Sequence, residues 1–148
     1  MKIQAALIPL AAVLLVSCGP SPESTVDTTP TEGRSIYALR CASCHQMDGS
    51  GIPKNCPPLK DSPVLADPPD YLIKLVLLGK KGPLIRGDAT YNGIMPSWRY
   101  DLNDEQVAAV LNELLERWAP GRPAITASQV AAVRQQTIHL KTFSEVEQ

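Results

Sequence analysis

An all-α fold is what this sequence predicts, and three observations point to it. Apolar residues recur at three- and four-residue spacing in its second half. Residues that start and stop helices stand at the ends of its apolar segments. No stretch carries a strand pattern. The 148 residues amount to one domain, and 14 prolines favour short elements joined by turns over a long bundle. No internal repeat is present.

Residues 1–17 stand apart from the fold. Lys2 precedes an uncharged apolar run from Ala5 to Val16, interrupted by Pro9. The run is too short to cross a bilayer as a helix and suits a signal-peptide core. It closes on "LVSC", which resembles the lipobox of bacterial lipoproteins; there Cys18 would carry a thioether-linked diacylglycerol and become the new N-terminus. An ordinary secretory signal with a cysteine near its cleavage site is the alternative. Residues 18–32, dense in Pro, Ser, Thr and Gly, read as a flexible tether from lipidated Cys18. A domain over 33–120 and a C-terminal helical extension over 121–148 follow. The expected address is the periplasmic side of a bacterial membrane, reached by export and held by the lipid.

The first helix is predicted over 33–44, with Ile36, Tyr37 and Arg40 toward its end. Gly33 would let a neighbouring helix approach closely. "DPPDYLIKLVLLG" marks a second helix, with Asp67 as N-cap, Pro68 at the first helical position, Asp70 at box-like spacing and Gly79 as a left-handed stop. Its apolar run from Tyr71 to Leu78 predicts burial. In "NDEQVAAVLNELLERW", Asn103 and Gln106 have capping-box spacing, and Val107, Val110, Leu111, Leu114 and Trp118 share one face. Early acids and a late Arg117 suit the helix dipole. Residues 126–140 read as a further amphipathic helix, boxed by Thr126 and Gln129. Its face is thin (Val130, Val133, Ile138) and carries no chemistry, which suits a docked structural helix.

Chemistry is concentrated in "CASCHQMDGSG", residues 41–51. Cys-x-x-Cys-His is the attachment pattern of c-type haem. Two thiols add across the vinyl groups on one edge of the porphyrin, and the adjoining imidazole lies under the iron as an axial ligand. One covalent haem c, with its iron, is therefore expected at Cys41, Cys44 and His45. Structural zinc would need two more ligands, for which Cys56 and His139 are poorly placed. A thioredoxin-like dithiol would need a βαβ context that is missing here.

Candidates for the second axial position are few. Met1 leaves with the signal, and Met47 lies two residues past His45 on the same side. His139 sits in the C-terminal segment. Met95, in "YNGIMPSW", is flanked by Gly93 and Pro96, which suit a ligand loop. The other reading of Met95 is a flexible core filler.

From Gly33 to about Trp118 the chain resembles a class I, monohaem cytochrome c domain. It is similar to the small bacterial ones found beside periplasmic or membrane dehydrogenases and reductases. The landmarks are "CASCH", "DGSGIPKNCPPL", "YNGIMPSW" and "LNDEQVAAVLNELLERW". The resemblance implies thioethers at Cys41 and Cys44, with His45 and Met95 on the iron. It also implies that the Pro57 carbonyl accepts a hydrogen bond from His45 and that Leu59 packs on the haem face. Two departures stand out. Cys56 occupies a position that is usually aromatic, and Glu113 stands where a tyrosine often faces the first helix. Cys56 reads as a buried, inert thiol rather than a reactive one.

A histidine and a methionine on the iron would leave no room for a substrate and would raise the reduction potential. That implies a one-electron carrier rather than an enzyme. It would be a lipid-anchored shuttle, or the electron-transfer subunit of a dehydrogenase, nitrite reductase or oxidase, meeting redox partner proteins at the exposed haem edge. The rival class is a haem sensor or gas-binding module in which Met95 is labile. A formal net charge of −1 gives no electrostatic case for nucleic acid. Lys54, Lys60, Lys74, Lys80, Lys81, Arg86 and Arg99 interleave with Asp48, Asp61, Asp67 and Asp88, which reads as a mixed surface as readily as a basic docking ring. With one phenylalanine the core is small, so the haem is expected to be part of the fold.

Overall fold

The computed structural model describes residues 30–143. The apolar N-terminal run, Cys18 and the tether up to residue 29 lie outside the described residues. Helix α1 (Pro30–Ile36) continues through a π-helical turn at Tyr37–Cys41 into α2 (Ala42–His45). Residues 30–32, expected in the tether, are therefore helical. A proline is tolerated in a first turn, where its missing N–H would have no partner, and Glu32 complements the helix N-terminus.

Tertiary contact sustains this longer helix. It crosses α4 (Asp104–Trp118) so closely that a Cβ on Gly33 would stand 2.3 Å from the Ala109 carbonyl oxygen. The rings of Tyr37 and Trp118 meet edge-to-face at 5.5 Å. Glu113 is buried beside the crossing, 3.6 Å from Arg117, whose guanidinium lies 4.4 Å from the centre of the Trp118 ring. Gly33 and the Tyr37–Trp118 pair thus make the crossing, with Glu113 buried beside it.

A 3₁₀ turn (Pro63–Ala66) leads into α3 (Pro69–Leu78). Pro68 takes the N-cap position and Pro69 the first helical one, so Asp67 is not the cap. The reason is steric: a residue before a proline is pushed to extended backbone, and Pro68 sits at ψ 146°. Gly79 ends the helix at φ 65°, ψ −180°, a region open to glycine almost alone, rather than in the left-handed helical conformation expected. Leu72, Ile73, Val76, Leu77 and Leu78 are buried, as the apolar run implies.

Between α3 and α4 the chain departs from helix. Strands β1 (Leu84–Arg86) and β2 (Ala89–Tyr91) pair antiparallel, with Arg86 opposite Ala89. The two-residue turn has Gly87 at φ 55°, the conformation such tight hairpins favour. Three residues per strand are too few for an alternating pattern to show.

Helix α4 starts with the full capping box. The Gln106 N–H donates to Asn103 Oδ1 at 2.8 Å, and the Asn103 N–H donates to Gln106 Oε1 at 3.1 Å. Helix α5 (Ala127–Gln136) carries the same box on Thr126 and Gln129. It stops short of 140, and Ile138 is 69% exposed, so it does not belong to the buried face that Val130 and Val133 form. Phe143 fills the core in its place, fully buried and edge-on to Tyr71 at 4.9 Å.

Candidate cofactor site

Cys41 closes the π turn, Cys44 lies in α2, and the helix ends at His45. Gln46 then takes φ 61°, ψ 156°, which costs a non-glycine residue on the order of 1–3 kcal/mol. Three bonds hold it there. Its N–H donates to the Ala42 carbonyl at 2.9 Å, and its carbonyl accepts from the Gly49 N–H at 3.1 Å and the Tyr37 hydroxyl at 2.5 Å. Burial is the chief cause pushing the Tyr37 hydroxyl up to about 12, so it keeps its proton for that bond at any ordinary pH.

The next loop folds back under His45. The Gly51 N–H donates to the His45 carbonyl at 3.0 Å, and Ile52 and Cys56 exchange backbone bonds of 2.8 Å each. Gly51 sits at φ 70°, where a Cβ would be 2.5 Å from the Cys56 carbonyl oxygen; only glycine closes this turn. The result puts His45 Nδ1 at 3.0 Å from the Pro57 carbonyl oxygen. With Nδ1–H donating there, the neutral ring presents the Nε2 lone pair. Burial lowers the His45 pKa, opposed by the Pro57 bond, so neutrality prevails. Burial and then Cys44 push the Cys41 thiol up to about 11. Burial, followed by a hydrogen bond with Cys44, also raises the buried Cys56 thiol, which keeps its proton at neutral pH.

A cavity of about 280 Å³ opens beside these residues. Cys41, Cys44, His45, Pro57, Leu59 and Met95 all line it, together with aliphatic side chains of α3 and α4. His139 and Met47 do not. Met95 and Lys80 exchange backbone bonds of 2.9 Å each. Among the described residues, three cationic side chains line the cavity (Arg40, Lys80 and Arg86) and no carboxylate does. Arg86 donates weakly to Ser62 Oγ at 3.4 Å, and its Nε is buried without a partner among the described residues. A haem fits this set of groups. It would bring flat faces for the aliphatic walls, vinyl groups for the thiols, and carboxylates to satisfy the orphaned guanidinium.

Sequence reasoning places Arg40 toward the end of the first helix but misses Arg86 in the cavity wall. Arg86 counts in the sequence as a surface cation, and the hairpin that carries it inward leaves no periodic signal. Arg99, counted with it, is buried and bonded to Thr137, so it leaves the set of candidate docking cations.

The family model described as cytochrome c oxidase, cbb3-type, subunit III matches residues 28–112. The chain belongs to the cytochrome c family. A cytochrome c-552 of Thermus thermophilus is 38% identical over 112 residues, spanning 70% of this chain and 84% of that one. The gluconate 2-dehydrogenase cytochrome c subunit of Pantoea cypripedii is 39% identical over 105 residues, 69% of this chain and 24% of that subunit. The cytochrome c subunit of the quinone alcohol dehydrogenase of Gluconobacter oxydans is 31% identical over 105 residues, 69% of this chain and 22% of that subunit. The cytochrome is a monohaem class I protein; its cofactor is covalent haem c and its function is electron transfer. No helix among its described residues is long and apolar enough to cross a membrane.

Proposed function

We propose that the cytochrome is a non-catalytic one-electron carrier whose haem is attached through Cys41 and Cys44 and held axially by His45 and Met95. The observation that carries this reading is that all four side chains line one and the same largely aliphatic cavity, with the Pro57 carbonyl on His45 Nδ1. Once bound, the haem supplies exchange of one electron between ferrous and ferric iron. His45, with its Nδ1 proton engaged, offers Nε2 in a fixed orientation and as a stronger donor. Met95 offers a soft thioether that favours the reduced state. Leu59 and the α3 aliphatics keep water from the cofactor faces. Arg86, whose buried Nε has no partner among the described residues, would pair with a carboxylate of the porphyrin. Ile94 lines the cavity while 65% exposed, which suits an apolar edge for a partner to cover.

The partner we favour is a dehydrogenase, because relatives of the cytochrome are dehydrogenase cytochrome subunits. A signal peptide over 1–17, a lipid on Cys18 and a tether as far as α1 would hold the cytochrome on the periplasmic side of a bacterial membrane. The domain then runs to about residue 120, with the helical extension behind it. The "LVSC" sequence supports the anchor.

Absorption spectra of the haem form test the ligand set. The expected result is a low-spin ferric spectrum with a methionine–iron charge-transfer band, and a ferrous form inert to carbon monoxide. Met95→Ala should remove the band and admit carbon monoxide. Ready carbon monoxide binding by the unaltered protein would instead indicate a gas-binding role. For the anchor, Cys18→Ser should move the cytochrome from the membrane to the soluble fraction; retention at the membrane would refute it.

A further inference from the structure

Residues 95–102 are gripped from two sides. On the α3 side, beyond the Met95–Lys80 backbone pair, Ser97 Oγ donates to the Leu77 carbonyl at 2.5 Å and the Trp98 N–H to the Val76 carbonyl at 3.1 Å. The C-terminal segment forms the other side. Arg99 is 8% exposed, and its Nη2 donates to the Thr137 carbonyl at 2.9 Å and to Thr137 Oγ1 at 2.8 Å. Arg134 donates to the carbonyls of Arg99 and Leu102 and pairs with Asp104 at 2.7 Å. Lys80, the backbone partner of Met95, holds its ammonium 5.2 Å from the centre of the buried Phe143 ring. Helix α5 buries Val130 and Val133, but these contacts reach beyond it to both flanks of Met95.

We propose that the C-terminal segment positions Met95. The Arg99–Thr137 bonds and the Lys80–Phe143 contact keep residues 95–99 seated, which lowers the fraction of molecules whose methionine has left the iron. The proposal rests on the reading of Met95 as an axial ligand. Charge-assisted bonds to a buried guanidinium are strong, and removing one acceptor leaves that charge under-partnered. The seated and released forms are two populations. A competing ligand binds only the released one, so its apparent affinity scales with the released fraction.

Imidazole titration of the ferric holo-cytochrome reads this fraction. Thr137→Val, which swaps the hydroxyl for a methyl, should tighten apparent imidazole binding about tenfold and weaken the charge-transfer band. Phe143→Leu should shift both in the same direction, and Thr137→Ser should restore both. Ile36→Val trims the core at α1 and should lower the thermal midpoint without changing imidazole affinity. If Ile36→Val tightens imidazole as much as Thr137→Val does, general loosening explains the effect and the proposal falls. If the unaltered cytochrome shows the band, Met95→Ala loses it, and Thr137→Val and Phe143→Leu leave imidazole affinity unmoved, the proposal alone falls. An unaltered protein without the band, or a band that survives Met95→Ala, overturns the ligand reading and this proposal together.

Discussion

Tyr37 shows how one side chain can serve fold and site at once. Its ring closes the α1–α4 crossing against Trp118, and its hydroxyl holds Gln46 in a costly conformation one residue past His45. Burial raises its pKa from 10.0 to about 12. Between those values the unfolded chain has released a proton that the folded chain still holds. Stability is therefore fully present below pH 10 and falls as pH climbs toward 12, by at most about 1.4 kcal/mol per pH unit from this group. Tyr37→Phe has no proton to lose. It should start about 1 kcal/mol less stable for want of the hydrogen bond and then decline more shallowly across that window. Urea unfolding of both proteins from neutral to strongly alkaline pH would check this, and parallel curves would refute it.

The elements differ in how much of each is local. The boxes of α4 and α5 lie within four consecutive residues, so Asn103, Gln106, Thr126 and Gln129 are legible in the sequence, and the helix starts follow. Asn103→Ala should cost about 1 kcal/mol in urea unfolding and leave the visible spectrum unchanged. The start of α3 shifted by one residue because Pro69 constrains Pro68 more strongly than Asp67 can cap. The hairpin was missed because its strands are three residues long. The π turn at Tyr37–Cys41 carries no local signature at all. Its setting is the crossing with α4, which the sequence shows only as a glycine at position 33.

For the whole molecule, the cavity sits within the apolar cluster rather than beside it. Leu72, Val76, Leu111 and Leu114 belong to both the core and the cavity wall. Without its haem the cytochrome would have to hydrate or collapse this space, and small domains have little stability to spare. Cys41→Ser combined with Cys44→Ser, which removes the thiols proposed for covalent attachment, should give a chain with weak near-ultraviolet circular dichroism and no cooperative thermal transition. A sharp transition in that variant would show that the polypeptide core suffices alone. The C-terminal segment belongs to the same scale. Phe143 lies far along the chain from Tyr71 and Lys80, yet packs on both.

The sequence by itself determined the helix starts of α4 and α5, and it sets the candidate attachment residues Cys41, Cys44 and His45 side by side. Two thiols and an imidazole within five residues, or a cap and its partner three residues apart, interact through backbone that is local by construction. Tertiary structure alone decided that Arg86 turns into the cavity, that Arg99 leaves the surface for Thr137, and that Phe143 rather than Ile138 fills the core. Each of these depends on which distant segments share a wall once the chain has closed. Packing fixes that choice, and no short window of residues carries it.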